Sequence, residues 1–179
     1  KYVDLSGKKI VIIGAGNIGN KLALKLVECG ASIILITNNM SKSIGIVKGL
    51  NAIKHRGVIS EITLSEHHVE SSKNADAIIG CTNSQPVISL EMVSEMNVNG
   101  VVIDLGKGTI FESAIIKCIE KDIQTWRVDI SALVNSMVSS SRSMSNLVKN
   151  TFGRMSISND VALISGGFIG KKYDVIVDS

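Results

Sequence analysis

Short runs of β-branched and aliphatic residues alternate along the first 128 positions with longer stretches in which apolar side chains return every three or four residues. The runs at 10–13, 32–37, 58–62, 77–79, 101–105 and 123–128 predict strands, and the stretches between them predict helices. The first helix is the clearest. Ile18, Leu22, Leu26 and Cys29 fall on one face, Gly30 stands where a glycine ends a helix, and Ser32 opens the next run. Regular βα alternation predicts an α/β fold, a doubly wound and mostly parallel sheet with right-handed crossovers and helices on both faces.

After Val128 the rhythm changes. The stretch "DISALVNSMVSSSRSMSNLVKN" is rich in Ser and Asn, with apolar residues at Leu133, Val134, Met137, Val138, Met144, Leu147 and Val148, near helical spacing. It reads as one long helix, two short ones, or a linker. The tail "VALISGGFIGKKYDVIVD" holds two strand-like runs around "SGGFIGKK", which predicts a hairpin at the sheet edge. Residues 1–130 are thus expected to form the main domain, with 131–179 a helix-and-hairpin extension packing on it or on a further domain.

Composition narrows the classes. Aromatics make up 3% of the chain and aliphatics dominate its 45% hydrophobic content, which suits helices covering a parallel sheet. A net charge of +3 with no basic run argues against nucleic acid as a partner. No apolar stretch approaches the roughly 20 residues of a membrane helix, and no signal peptide opens the chain, so no membrane partner is expected. Cys29, Cys81 and Cys118 lie far apart without metal spacing, consistent with reduced thiols in a cytoplasmic protein and with no metal site. Lys1 in place of Met and the early first strand suggest a piece excised from a longer protein.

Candidate chemistry starts at "KKIVIIGAGNIGNKLALKLVECGASIILITNN". Gly14, Gly16 and Gly19 form G-x-G-x-x-G directly after a strand and at the start of a helix. That context suits a dinucleotide: Gly14 for the tight turn, Gly16 for backbone approach to a pyrophosphate, Gly19 for close helix–strand packing. The phosphates would meet the free N–H groups at the helix start, around Asn17 and Ile18. The fold expected is therefore Rossmann-type. In such a sheet ligands lie outside the carboxyl ends of the strands, so the polar turn Thr82-Asn83-Ser84-Gln85 should face the cofactor.

Taken together, "LSGKKIVIIGAGNIGNKLA", "ITNNMSKS", "ADAIIGCTNSQPVI" and "VVIDLG" resemble the NAD(P)-binding domain shared by shikimate and quinate dehydrogenases, glutamyl-tRNA reductase and related amino-acid dehydrogenases. The resemblance spans about residues 4–130. It implies that Gly14, Gly16 and Gly19 take the pyrophosphate, that Asn38, Asn39 and Ser41 lie beside the adenine ribose, and that Cys81, Thr82 and Asn83 lie beside the nicotinamide. Shikimate dehydrogenases tend to carry Asn-Arg-Thr after the second strand, where this chain has Asn38-Asn39-Met40. Their catalytic Lys and Asp belong to a separate substrate domain, so a missing domain or a homo-oligomeric partner is implied, and little turnover is expected of this chain alone.

Catalytic candidates here are Asp104, at the end of a strand, and Lys107, in the glycine-flanked turn "DLGKGT", where it could polarise a substrate carbonyl or be a solvated loop lysine. Cys81 reads as a nucleophile or as a small apolar filler. His67 and His68 are expected in the surface first turn of a helix capped by Ser65, and adjacent histidines suit a metal poorly. Met92 and Met96 read as core, and Asp129 as a substrate contact or a helix cap.

NADP is expected over NAD. NAD-binding domains place an acid at the end of the second strand, but no acidic residue occurs between Glu28 and Glu61, and Lys42 stands nearby. The function expected is hydride transfer to or from a small polar metabolite. Two alternatives are a non-catalytic nucleotide-binding module and an S-adenosylmethionine-dependent methyltransferase. The second fits poorly, because such enzymes usually carry acids before the glycine loop and at the end of the second strand.

Overall fold

A computed structural model describes residues 4–83, 85–128, 131–150, 153–166 and 169–177. Ser84 and Asp129, singled out above, lie outside them. The chain divides into two compact units, residues 1–128 and 129–179.

In the first unit, β1 (Lys9–Ile13), α1 (Asn17–Glu28), β2 (Ser32–Ile36), α2 (Met40–Ile53), β3 (Ile62–Ser65), α3 (His68–Ser72), β4 (Ala77–Gly80), α4 (Leu90–Glu95), β5 (Val101–Asp104), α5 (Glu112–Glu120) and β6 (Gln124–Arg127) follow in strict alternation. The sheet has six strands in the order β3-β2-β1-β4-β5-β6, every neighbour parallel. Strand order reverses between β1 and β4. This is the doubly wound Rossmann-type arrangement, and its crevice opens where the order reverses.

Both faces of each central strand are apolar because both are covered. Val11 and Ile13 join Ile78, Val102, Met92, Val93, Met96, Ala114 and Cys118 in one core cluster, so Met92 and Met96 are core residues. Ile10 and Ile12 point the other way, into a second cluster with Ala23, Val27, Ile33, Leu35, Val47 and Ile62. Alternation of side chains along a strand divides one sequence run between two cores.

Two details of the first unit differ from the pattern in the sequence. The buried line of α1 is Gly19, Ala23 and Val27, one position on from the expected face, while Leu22 and Leu26 flank it and Ile18 is 55% exposed. Small residues bring the helix close to the sheet, and the larger ones fill the edges. The third strand begins at Ile62 and not at Val58: Val58 N donates to His55 O in a turn, and Ile59 is 97% exposed. Asn51 sets that start, its side chain donating to Ile62 O and accepting from Ile62 N as a neighbouring strand would.

The second unit comprises α6 (Ser131–Asn150), a single helix, and a three-stranded sheet of β7 (Arg154–Ser156), β8 (Ala162–Ser165) and β9 (Val175–Val177). The expected edge hairpin is corrected here. The two tail runs pair parallel, and the antiparallel hairpin is β7 with β8, closed by Ile157 and Ser158 N donating to Val161 O. These strands form a three-stranded sheet of their own, in the order β7-β8-β9. A parallel pair cannot be closed by a tight hairpin turn, so the two runs are not the two arms of a hairpin.

Candidate functional site

The carboxyl ends of β1, β2 and β4 border a cleft of about 330 Å³ lined by Ile13, Gly14, Ala15, Ile36, Thr37, Asn38, His68, Thr82 and Val87. Its floor is built by the glycine loop. Gly14 has φ +111°, and a Cβ there would come within 3.0 Å of Cys81 O and 3.3 Å of Thr82 Cγ2. A side chain at Gly19 would collide with the backbone oxygen of Gly14, so the loop and helix can close only on glycine.

Gly16 is different. Its backbone is ordinary extended chain, φ −83° and ψ −170°, and a Cβ would meet nothing within 4 Å. No folding requirement for glycine is visible at that position; what glycine leaves there is room. Above it α1 starts with no side-chain cap and no acidic residue in its first turn, so its leading N–H groups stay open to an anion. Asn17 and Ile18 beside them are exposed.

At the β2 side the structure narrows the expected contacts. Asn39 caps α2, its Oδ1 accepting from Lys42 N at 3.0 Å and from Ser41 Oγ at 3.4 Å, so only its amide nitrogen remains for a ligand. Thr37 is buried, bonding Ser43 Oγ at 2.9 Å and accepting from Asn39 N at 3.1 Å, which fixes the turn. Asn38, Ser41 and Lys42 are exposed.

At the β4 side Thr82 lines the cleft, its hydroxyl donating to Gln85 O at 3.3 Å, and Asn83 is exposed. Cys81 is half-buried, and burial pushes its thiol up to about 11. At neutral pH the fraction ionised is about one part in ten thousand, so the filler reading fits better than the nucleophile.

Asp104 sits at the end of β5 with 2% exposure. It accepts from Gly108 N at 2.7 Å, Thr109 N at 3.2 Å, Thr109 Oγ1 at 2.8 Å and Arg127 Nε at 3.1 Å. Burial opposes its ionisation, but these donors outweigh burial and hold the carboxyl below its usual value. The carboxylate ties down the β5–α5 turn, in which Lys107 is exposed and held left-handed at φ 61°.

The histidines divide. Ser65 ends β3 and His67 occupies the cap position of α3, so Ser65 is not the helix cap; its Oγ instead accepts from His67 N at 3.0 Å. His67 is exposed, whereas His68 turns into the cleft. Sequence periodicity carried no signal for His68, because α3 is only five residues long. Its one legible clue was position, just past the carboxyl end of a strand. Among the described residues no group of three or more His, Cys, Asp or Glu could hold a metal ion, and no helix is long and apolar enough to cross a membrane.

A family profile described as shikimate / quinate 5-dehydrogenase matches residues 1–117. Glutamyl-tRNA reductase from Campylobacter jejuni is 26% identical over 106 residues, 59% of this chain and 23% of that protein. The Thermosipho melanesiensis glutamyl-tRNA reductase is 28% identical over 115 residues, 64% of this chain and 29% of its own length. The chain therefore spans less than a third of the curated relatives it matches. Among solved structures, shikimate dehydrogenase from Aquifex aeolicus superposes with a TM-score of 0.52 at 18% identity, over 69% of this chain and 38% of that one.

Proposed function

This chain belongs to the shikimate / quinate 5-dehydrogenase family, and on that premise we propose that its first unit holds NADP, in preference to NAD, for a reductase or dehydrogenase acting on a small polar metabolite. The observation that carries the reading is the room at Gly16. A glycine with ordinary dihedrals and nothing within 4 Å of its missing Cβ stands before an uncapped helix start, where a pyrophosphate would need backbone access.

In this reading Gly14, Gly16, Asn17, Ile18 and Gly19 hold the pyrophosphate. Asn38, Asn39, Ser41 and Lys42 surround the adenosine ribose, and Cys81, Thr82 and Asn83 flank the nicotinamide. When bound, the nicotinamide supplies or accepts a hydride. Lys107 is the candidate to bind and polarise a substrate oxygen, and Asp104 acts through the turn that carries it. Lys107→Met should leave NADPH affinity unchanged and lower turnover in the longer protein; loss of NADPH binding in that variant would remove Lys107 from the substrate side.

Preference for NADP is supported by charge. No acid stands at the end of β2 to repel a 2′-phosphate, and Lys42, exposed in the first turn of α2, adds a cation beside that helix's own N–H groups. A lysine offers a point charge and no bidentate fork, so the margin should be about tenfold, near 1.4 kcal/mol. Calorimetric titration with NADPH and NADH should show it, and Lys42→Glu should erase it. A wild type that binds NADH as tightly as NADPH would overturn the assignment.

A further inference from the structure

We propose that His68 is a binding residue for the adenine base, its ring forming one wall of the cleft on the β2–β3 side. The inference rests on the cofactor reading above and adds a contact that the glycine loop does not specify. Ile36 of β2 lies opposite Ser65 of β3, and Thr37 N donates to Ser65 O at 3.3 Å, so the turns leaving the two strands run side by side. His68 comes three residues later and lines the cleft together with Thr37 and Asn38, across from Gly14, Thr82 and Val87. A dinucleotide laid over the glycine loop has its adenosine half toward the end of β2. His68 is therefore on the adenosine side.

The backbone that carries the ring is held, and the ring itself is unengaged. His67 N and Ser71 Oγ donate to Ser65 Oγ at 3.0 and 2.8 Å, and Ser72 Oγ donates to His68 O at 2.8 Å, which ties the backbone carrying the ring. Among the described residues the imidazole itself has no hydrogen-bond partner, although the residue is half-buried. The chain has three Phe, two Tyr and one Trp, and none of them lines this cleft. His68 is the flat π-surface available there, and purine bases pack on such surfaces.

Titration of the whole chain with 5′-AMP, NADPH and inorganic pyrophosphate tests this. His68→Ala should weaken AMP and NADPH by the same factor, about tenfold for the loss of one stacking face, and leave pyrophosphate unchanged. His68→Phe, which keeps a ring, should bind AMP within about threefold of wild type, and His67→Ala should match wild type. Wild-type AMP affinity in His68→Ala overturns the proposal. So does a His68→Phe variant as weak as His68→Ala, or an equal loss of pyrophosphate binding, which would mean a collapsed cleft. Failure of the cofactor reading looks different: the wild type would then bind neither AMP nor NADPH, and Gly16→Val would change nothing.

Discussion

Gly16→Val is expected to raise the Kd for NADPH at least about 100-fold, some 2.7 kcal/mol, while the unit keeps its native circular dichroism. The two halves of this expectation have separate causes. Binding is lost because a branched side chain would fill the space in front of the α1 N–H groups, where the proposed function puts the pyrophosphate. Folding survives because that space is empty of protein and φ −83° is comfortable for Val. Loss of glycine from the cap position should cost no more than about 1 kcal/mol. Gly19→Ala is the contrasting control: its methyl would run into the Gly14 carbonyl, which is backbone and cannot swing aside. That variant should lose about 3 kcal/mol or more of stability. If Gly16→Val binds NADPH like wild type, the phosphate does not lie over this loop.

Asp104→Asn should destabilise the first unit by about 2–3 kcal/mol at pH 7, because several donors would lose a charged acceptor inside the fold. An amide cannot replace the carboxylate. Its –NH₂ group would face N–H donors from Gly108, Thr109 or Arg127, which the carboxylate now satisfies at 2.7 to 3.2 Å. The effect should depend on pH in a definite direction. Because the folded-state pKa of Asp104 is lowered, its stabilisation is present above the ordinary carboxylate pKa and is lost as pH falls through the folded value. Urea melts should therefore show the gap between wild type and Asp104→Asn closing below about pH 4. A gap that stays constant from pH 7 to 3 would mean that the charge of Asp104 does not stabilise the fold.

Much of this architecture is legible in the sequence. The glycine loop, the first two strands and α1 depend on short-range rules: apolar period, a residue that accepts φ +111° at Gly14, and a stop at Gly30 with φ +97°. Strand 58–62 misled because an apolar pair can sit in an approach turn as easily as in a strand, and the arbiter was Asn51, eleven residues back. Ile18 misled for a different reason. Its spacing matched the buried face, but the helix met the sheet along its small residues and left Ile18 outward, next to the anion-ready helix start.

By itself the sequence determined the order and kind of the elements in the first unit and the place of the glycine loop, because both follow from contacts within a turn or two of chain. Only the tertiary structure decided which distant residues meet. Arg127 reaches Asp104 across 23 positions because β5 and β6 are neighbours. His68 joins Gly14 and Thr82 around one cleft because β3 pairs outside β2 while β4 returns beside β1. In the tail, β8 and β9 pair parallel although their spacing suggested a hairpin. Strand order and pairing direction are settled by burial of whole faces against one another, and no local period in the chain encodes which face a strand will find.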